Sequence, residues 1–221
     1  VKAQQLPLAL QHRPARGRAD FLVAPANEHA VALIDRWPDW PDQILALAGA
    51  AGTGKTHLAE VWRTRSGAAL VEAAELHEEA LPALLETGAV IVENGESLTP
   101  DGERALFHLI NMVRETKSFL LLTGAEAPAR WPAGLPDLAS RLKAVPRVEI
   151  GPPDEALLAA LLVKLFDDRG MSVPAAVISY VVPRMERSFA AMRDFAEALD
   201  RASLAGKRPV TVPLAAEVLK G

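Results

Sequence analysis

Apolar and polar positions along the chain fall into two regimes. Between residues 44 and 150, short and nearly continuous apolar runs recur at ILALA (44–48), ALVEA (69–73), AVIVE (89–93), SFLLLTG (118–124) and VEI (148–150), with helical periodicity between most of them. Runs this uniformly apolar suit strands buried on both faces, and their alternation with helices predicts a parallel sheet of five strands covered on both sides. From Pro153 onward the texture is helical throughout. DEALLAALLVKLFDDRG carries acids at its start and Gly170 after its end, and PAAVISYVVPRM, SFAAMRDFAEALDRASLAG and PLAAEVLKG follow. Three parts are expected: a tail and linker over 1–19, an α/β core over 20–152, and a small all-helical domain over 153–221. The seam falls at GPP (151–153), where a glycine and two prolines break regular structure.

Composition narrows the class. Half of the 221 residues are hydrophobic and 24% are charged, the profile of a folded globular protein. No apolar run approaches the roughly 18–20 residues of a spanning helix, so the expectation is a cytoplasmic protein with no membrane partner. The absence of cysteine excludes disulfides and thiolate metal sites. A formal charge of −4 argues against a broad electropositive field for DNA. The one basic cluster, HRPARGR (12–18), sits in a Pro/Gly-rich stretch and reads as a solvated linker.

Candidate chemistry begins at GAAGTGKT (49–56), a full match to the phosphate-binding loop. Gly49, Gly52 and Gly54 let the backbone curl so that successive N–H groups point at phosphate oxygens, and a helix starting near Lys55 adds its positive N-terminus. Lys55 is placed to reach the outer phosphates and the Thr56 hydroxyl to ligate magnesium. Thr53 and His57 complete the expected nucleotide-contacting stretch, although His57 also has a purely structural reading. The loop's place between a strand and an apolar helix separates it from a chance glycine-rich turn.

The second half of such a site is expected in VIVENGE (90–96). Glu93 ends the strand and can carry a carboxylate toward a magnesium-bound water, one methylene further out than the usual Asp. Asn94 follows where a hydrolysing enzyme normally has a second acid. An amide orients a water but takes no proton from it at neutral pH. Glu96 is an alternative base two residues on, and a solvent-facing Glu93 with no role is the bland alternative.

Two arginines and the N-terminus leave choices open. Arg141, in PDLASRL (136–142), either projects into a neighbouring subunit's nucleotide site or pairs with a nearby acid. Arg193 either reaches over the nucleotide or forms an i, i+4 pair with Glu197. QLPLAL (5–10) either inserts its leucines into a partner or packs on its own domain. The histidines have no metal-ligand spacing, and Trp37, Trp40, Trp62 and Trp131 are expected to sit apart, with no stacking stripe for single strands.

Taken together, FLVAPANEHA (21–30), GAAGTGKTHLAEVW, AVIVEN, SFLLLTGAEAP, GLPDLASRL and RDFAEALDRAS resemble the DnaA family of AAA+ proteins, most closely its regulatory Hda branch. The likeness spans nearly the whole chain. It implies an AAA+ fold with a helical lid, ADP or ATP with Mg2+ as ligands, and adenine held between Phe21, Leu22 and Val23 and the lid. It makes Arg141 an arginine finger acting in trans and Arg193 the lid's nucleotide-sensing residue. Gln5, Leu6, Leu8 and Leu10 look like the motif with which such regulators grip the DNA polymerase sliding clamp, with Ala9 replacing a more usual proline.

The function implied is a nucleotide-bound regulator that docks on the clamp and stimulates hydrolysis of ATP held by DnaA, so preventing reinitiation. An initiator would continue into a helix-turn-helix domain after the lid, so direct sequence-specific DNA binding is not expected; self-association is allowed. The alternatives are a self-sufficient ATPase or helicase loader, which Asn94 disfavours, a small-molecule kinase, for which the lid lacks an arginine cluster, and a nucleotide-free adaptor.

Overall fold

The computed structural model describes residues 22–206 and 208–220. Five strands form one sheet: β1 (Ile44–Ala48), β2 (Ala69–Glu72), β3 (Ala89–Glu93), β4 (Phe119–Gly124) and β5 (Arg147–Glu149). Their order is β2-β3-β4-β1-β5 and every pairing is parallel. The fold class expected from the sequence is therefore the one found. The strands β1 and β3 are buried along their whole length, as continuous apolar runs require when both faces are covered.

The helices of this unit are α1 (Glu28–Asp35), α2 (Lys55–Ser66), α3 (Leu81–Leu85), α4 (Pro100–Thr116) and α5 (Pro136–Ala144). The longest, α4, starts where Thr99 accepts a hydrogen bond from the Gly102 N–H at 3.0 Å, with Pro100 already in the helix and Asp101 and Glu103 in its first turn. Such a start satisfies an orphan donor and favours the positive helix end. Its apolar face, with Leu106, Leu109, Ile110 and Val113, closes the core over Val90, Val92, Leu120 and Leu122.

The tryptophans overturn one expectation. Trp37, Trp40 and Trp62 lie together with Phe119: Trp40 stacks on Trp62 with centroids 5.0 Å apart, and Trp37 meets Trp62 edge-on at 6.1 Å. Residues far apart in sequence converge because α2 and the segment after α1 cross the same end of β4. Trp62 is completely buried, so the cluster is core and offers no platform for bases.

A second compact unit holds Pro152–Gly221 together with Leu22–Ala26. Its helices are α6 (Glu155–Asp167), α7 (Ala175–Val181), α8 (Phe189–Gly206) and α9 (Val212–Val218), and no strand occurs among its described residues. Asp154 caps α6 by accepting from the Leu157 N–H at 2.7 Å. Leu158, Leu162, Phe166, Val181, Met192 and Leu199 form its core. None of the described helices is long and apolar enough to cross a membrane.

Candidate functional site

The phosphate loop is built at the carboxyl end of β1, the strand flanked by β4 and β5. Gly49 donates to the Gly124 carbonyl at 3.2 Å, and a Cβ on Gly49 would stand 2.5 Å from the Ile150 carbonyl oxygen. Glycine is therefore required there by close backbone approach. Gly52 (φ 76°) and Gly54 (φ 97°) take left-handed conformations, and α2 begins at the next residue. The loop holds its own shape through Thr53, whose buried hydroxyl donates to the Ala50 carbonyl at 2.9 Å.

Lys55 extends back across the loop. Its ammonium donates to the carbonyls of Gly49 at 2.6 Å and Ala50 at 3.0 Å, which leaves one of its three N–H donors for a phosphate oxygen. Burial lowers its pKa, and the negative charges of Glu96 and Glu93 oppose that shift.

Glu93 lies at the end of β3, only 6% exposed, which removes the reading of a solvent-facing acid. Its carboxylate hydrogen-bonds the Thr56 side chain, while Oε1 is buried with no partner among the described residues. Burial raises its pKa; the Thr56 bond works against this, Glu72 and Glu60 add to it, and Lys55 lowers it again. The two expected magnesium ligands are thus adjacent, and one carboxylate oxygen is left over. That arrangement fits magnesium, which keeps several waters and uses one or two protein oxygens alongside phosphate. Among the described residues there is no cluster of three or more His, Asp or Glu that would form an all-protein cage.

Beyond Glu93 the chain turns sharply. Asn94 adopts a left-handed conformation (φ 55°), its N–H donates to the Thr123 hydroxyl at 3.3 Å, and its side-chain amide donates to Glu72 Oε2 at 2.8 Å. Glu96 stays close enough to act on Lys55: Oε1 accepts from the Ala125 N–H at 2.9 Å, and Oε2 is buried beside Gly124 with no hydrogen-bond partner among the described residues. Its first oxygen is thus occupied by backbone on β4's side. Trp131 packs over Gly95 and Gly124 and ties the ends of β3 and β4 together.

Arg141 is on α5, half-buried, with its guanidinium 4.8 Å from the ring centroid of Phe107 on α4. Among the described residues no carboxylate pairs with it, so the ion-pair alternative gives way to a cation–π contact. Arg193 is exposed on α8, and the acid expected beside it, Glu197, pairs instead with Arg201 at 3.7 Å. His57 is exposed on α2; Leu22 and Val23 are half-buried and group with the helical unit. Phe21, Gln5, Leu6, Leu8 and Leu10 lie outside the described residues.

Four residues with a place in this geometry escaped the sequence reading. Thr123 is the one polar position inside FLLLTG, and Glu72 ends β2 in register with Glu93, a repetition visible in ALVE and AVIVE. Phe107 and Glu103, both on α4, leave no such trace, because only folding brings them to α5.

This combination of sheet order, phosphate loop and helical domain defines a P-loop protein of the AAA+ class. Residues 154–219 match the family model of the Hda lid domain, so the C-terminal domain is a lid of the Hda type. The chain is similar in structure to domain III of the replication initiation protein DnaA from Thermotoga maritima (TM-score 0.74, 17% identity, covering 94% of this chain and 97% of that one). It is also similar to AMPPCP-bound DnaA from Aquifex aeolicus (TM-score 0.68, 17% identity, 84% and 65% covered). The RuvB Holliday junction branch migration motor of Thermotoga maritima shares the fold at TM-score 0.65 and 13% identity, with 80% and 60% covered. The chain thus spans under two thirds of the Aquifex DnaA and RuvB chains. The chain thus has the AAA+ fold, and its C-terminal domain matches the Hda lid.

Proposed function

We propose that this protein holds ADP or ATP with Mg2+ in the loop 49–56 and acts as a regulator of DnaA, offering Arg141 to ATP bound by that partner. The observation that carries the reading is the joining of an intact phosphate loop, with Thr56 and Glu93 in contact, to a lid of the Hda type. Two DnaA structures of similar fold hold AMPPCP, which supports a nucleotide at the same loop. Magnesium would be carried by the Thr56 hydroxyl and, partly through water, by Glu93. Arg193 serves as the nucleotide-sensing residue of the lid, and Phe21, Leu22 and Val23 face the adenine.

Gln5, Leu6, Leu8 and Leu10 dock the protein on the DNA polymerase sliding clamp. An arginine supplied in trans adds permanent charge at the γ-phosphate and accounts for a rate factor on the order of a thousand or more. The protein itself binds nucleotide without cutting it efficiently, since Asn94 cannot serve as the base. A self-sufficient ATPase would instead show rapid turnover alone.

The test mixes ATP-loaded DnaA, DNA-loaded clamp and this protein, and follows ATP hydrolysis. Stimulation that disappears in Arg141→Ala and in Leu6→Ala/Leu8→Ala is expected. Unchanged hydrolysis, or full stimulation by Arg141→Ala, would overturn the reading.

A further inference from the structure

The position after Glu93 is held by more contacts than a loop residue needs. Asn94 donates its N–H to Thr123 Oγ1 at 3.3 Å, accepts the Ser97 N–H on its carbonyl at 2.8 Å, and donates its side-chain amide to Glu72 Oε2 at 2.8 Å. The left-handed backbone (φ 55°, ψ 50°) is one that asparagine tolerates better than most residues. With the backbone pinned on both sides, the direction of the side chain is set by Glu72.

Glu72 is half-buried and faces Asn94 across neighbouring strands, because β2 and β3 run parallel with Glu72 opposite Glu93. The bond has one polarity. An ionised carboxylate only accepts, so the residue at 94 must donate, and an amide does so while leaving its oxygen as a non-basic acceptor for a water. A carboxylate at 94 would replace an N–H···O bond of 2.8 Å by two facing carboxylate oxygens. Like charges at that distance repel, and the side chain would swing out of the position the amide holds.

We propose that Glu72 is the positioning residue that keeps the site non-hydrolytic: it admits an amide at 94, orients it, and shuts out an acid there. The inference rests on nucleotide binding at the phosphate loop and deepens that reading. It has a specific consequence: Asn94→Asp alone does not build a working base, and the acid becomes useful only when residue 72 can donate to it. In the double variant Glu72→Gln/Asn94→Asp the hydrogen bond is restored with its polarity reversed. The water oxygen then attacks the γ-phosphorus, the water's proton passes to the carboxylate introduced at position 94, and the bond to the β,γ-bridging oxygen breaks with its electron pair left on the β-phosphate.

The experiment measures single-turnover ATP hydrolysis, ADP affinity and melting temperature for wild type, Asn94→Asp, Glu72→Gln and the double variant, each as the full chain with Mg2+. The double variant is expected to hydrolyse roughly a hundredfold faster than wild type, the lower end of what a positioned general base contributes. Asn94→Asp alone should gain at least tenfold less than the double, and should melt below wild type, with the loss recovered by Glu72→Gln. Equal gain in Asn94→Asp and the double variant, or an ADP-binding double variant with no gain, would overturn the proposal. Should the double variant fail to fold, a cycle of Glu72→Ala, Asn94→Ala and both, read by melting temperature, decides: additive losses refute the coupling. Failure of wild type itself to bind ADP removes the nucleotide reading, a separate result from any pattern among the variants.

Discussion

The Arg141 guanidinium lies 4.8 Å from the centre of the Phe107 ring, and one helical turn before Phe107 on α4, Glu103 accepts the N–H groups of Gly134 and Leu135 at 2.8 and 3.0 Å. Helix α4 therefore anchors α5 at two points, its entrance and its arginine. A planar cation resting on an aromatic face is oriented without the strong charge pairing that would have to be broken before it could serve a partner.

Replacing Phe107 by leucine keeps apolar volume and removes the π face. The contact is worth about 0.5–1 kcal/mol when partly exposed, so the chain should fold normally and bind ADP unchanged. If Arg141 acts as proposed, stimulation of DnaA-bound ATP hydrolysis should fall severalfold, because the arginine then samples more orientations. Equal stimulation by wild type and Phe107→Leu would show that the ring does not orient the arginine.

Lys55→Ala should abolish the rise in melting temperature that saturating ADP produces. The ammonium also closes the loop on the Gly49 and Ala50 carbonyls. A modest fall in the melting temperature of the ligand-free protein is therefore expected as well. Thermal melts with and without ADP separate the two effects.

Glu93 predicts a pH dependence of defined sign. Its folded pKa is raised by burial, so the folded chain binds that proton more tightly than the unfolded chain does. The associated stability is full below the ordinary carboxylate value, about 4.3, and is lost as pH rises through the raised value. Glu93→Gln keeps the neutral shape and removes the titration. Melts of both proteins from about pH 4 to 8 should show wild type losing ground to Glu93→Gln as pH rises. Parallel curves would mean that Glu93 does not carry the shift.

Trp62 is fully buried and touches Trp37 and Trp40. Trp62→Ala should cost about 3–5 kcal/mol through lost burial and the cavity left behind. Denaturant unfolding measures this, and a loss below about 1 kcal/mol would mean that the site collapses onto its neighbours.

The strands, the loop 49–56 and the helical C-terminal domain were legible because each depends on local pattern: an apolar run of strand length, glycines where backbone must curl, apolar positions spaced for a helix. The pairing of Asn94 with Glu72 was half legible. An amide where an acid is usual can be read from VIVENGE, but its partner Glu72 is 22 residues away and meets it only because β2 lies beside β3. The ring under Arg141 and the gathering of Trp37, Trp40 and Trp62 belong to the same kind, and the expectation that the tryptophans sit apart failed for this reason.

By itself the sequence determined most of the strands and helices, the glycine-rich curl at the end of β1, and that an amide directly follows Glu93. Those properties are set within a few residues by backbone sterics, periodicity and side-chain chemistry. Tertiary structure alone decided other meetings: Glu72 with Asn94, Phe107 with Arg141, Trp62 with Trp37 and Trp40. Such meetings depend on strand order and helix packing, and no spacing along the chain encodes them.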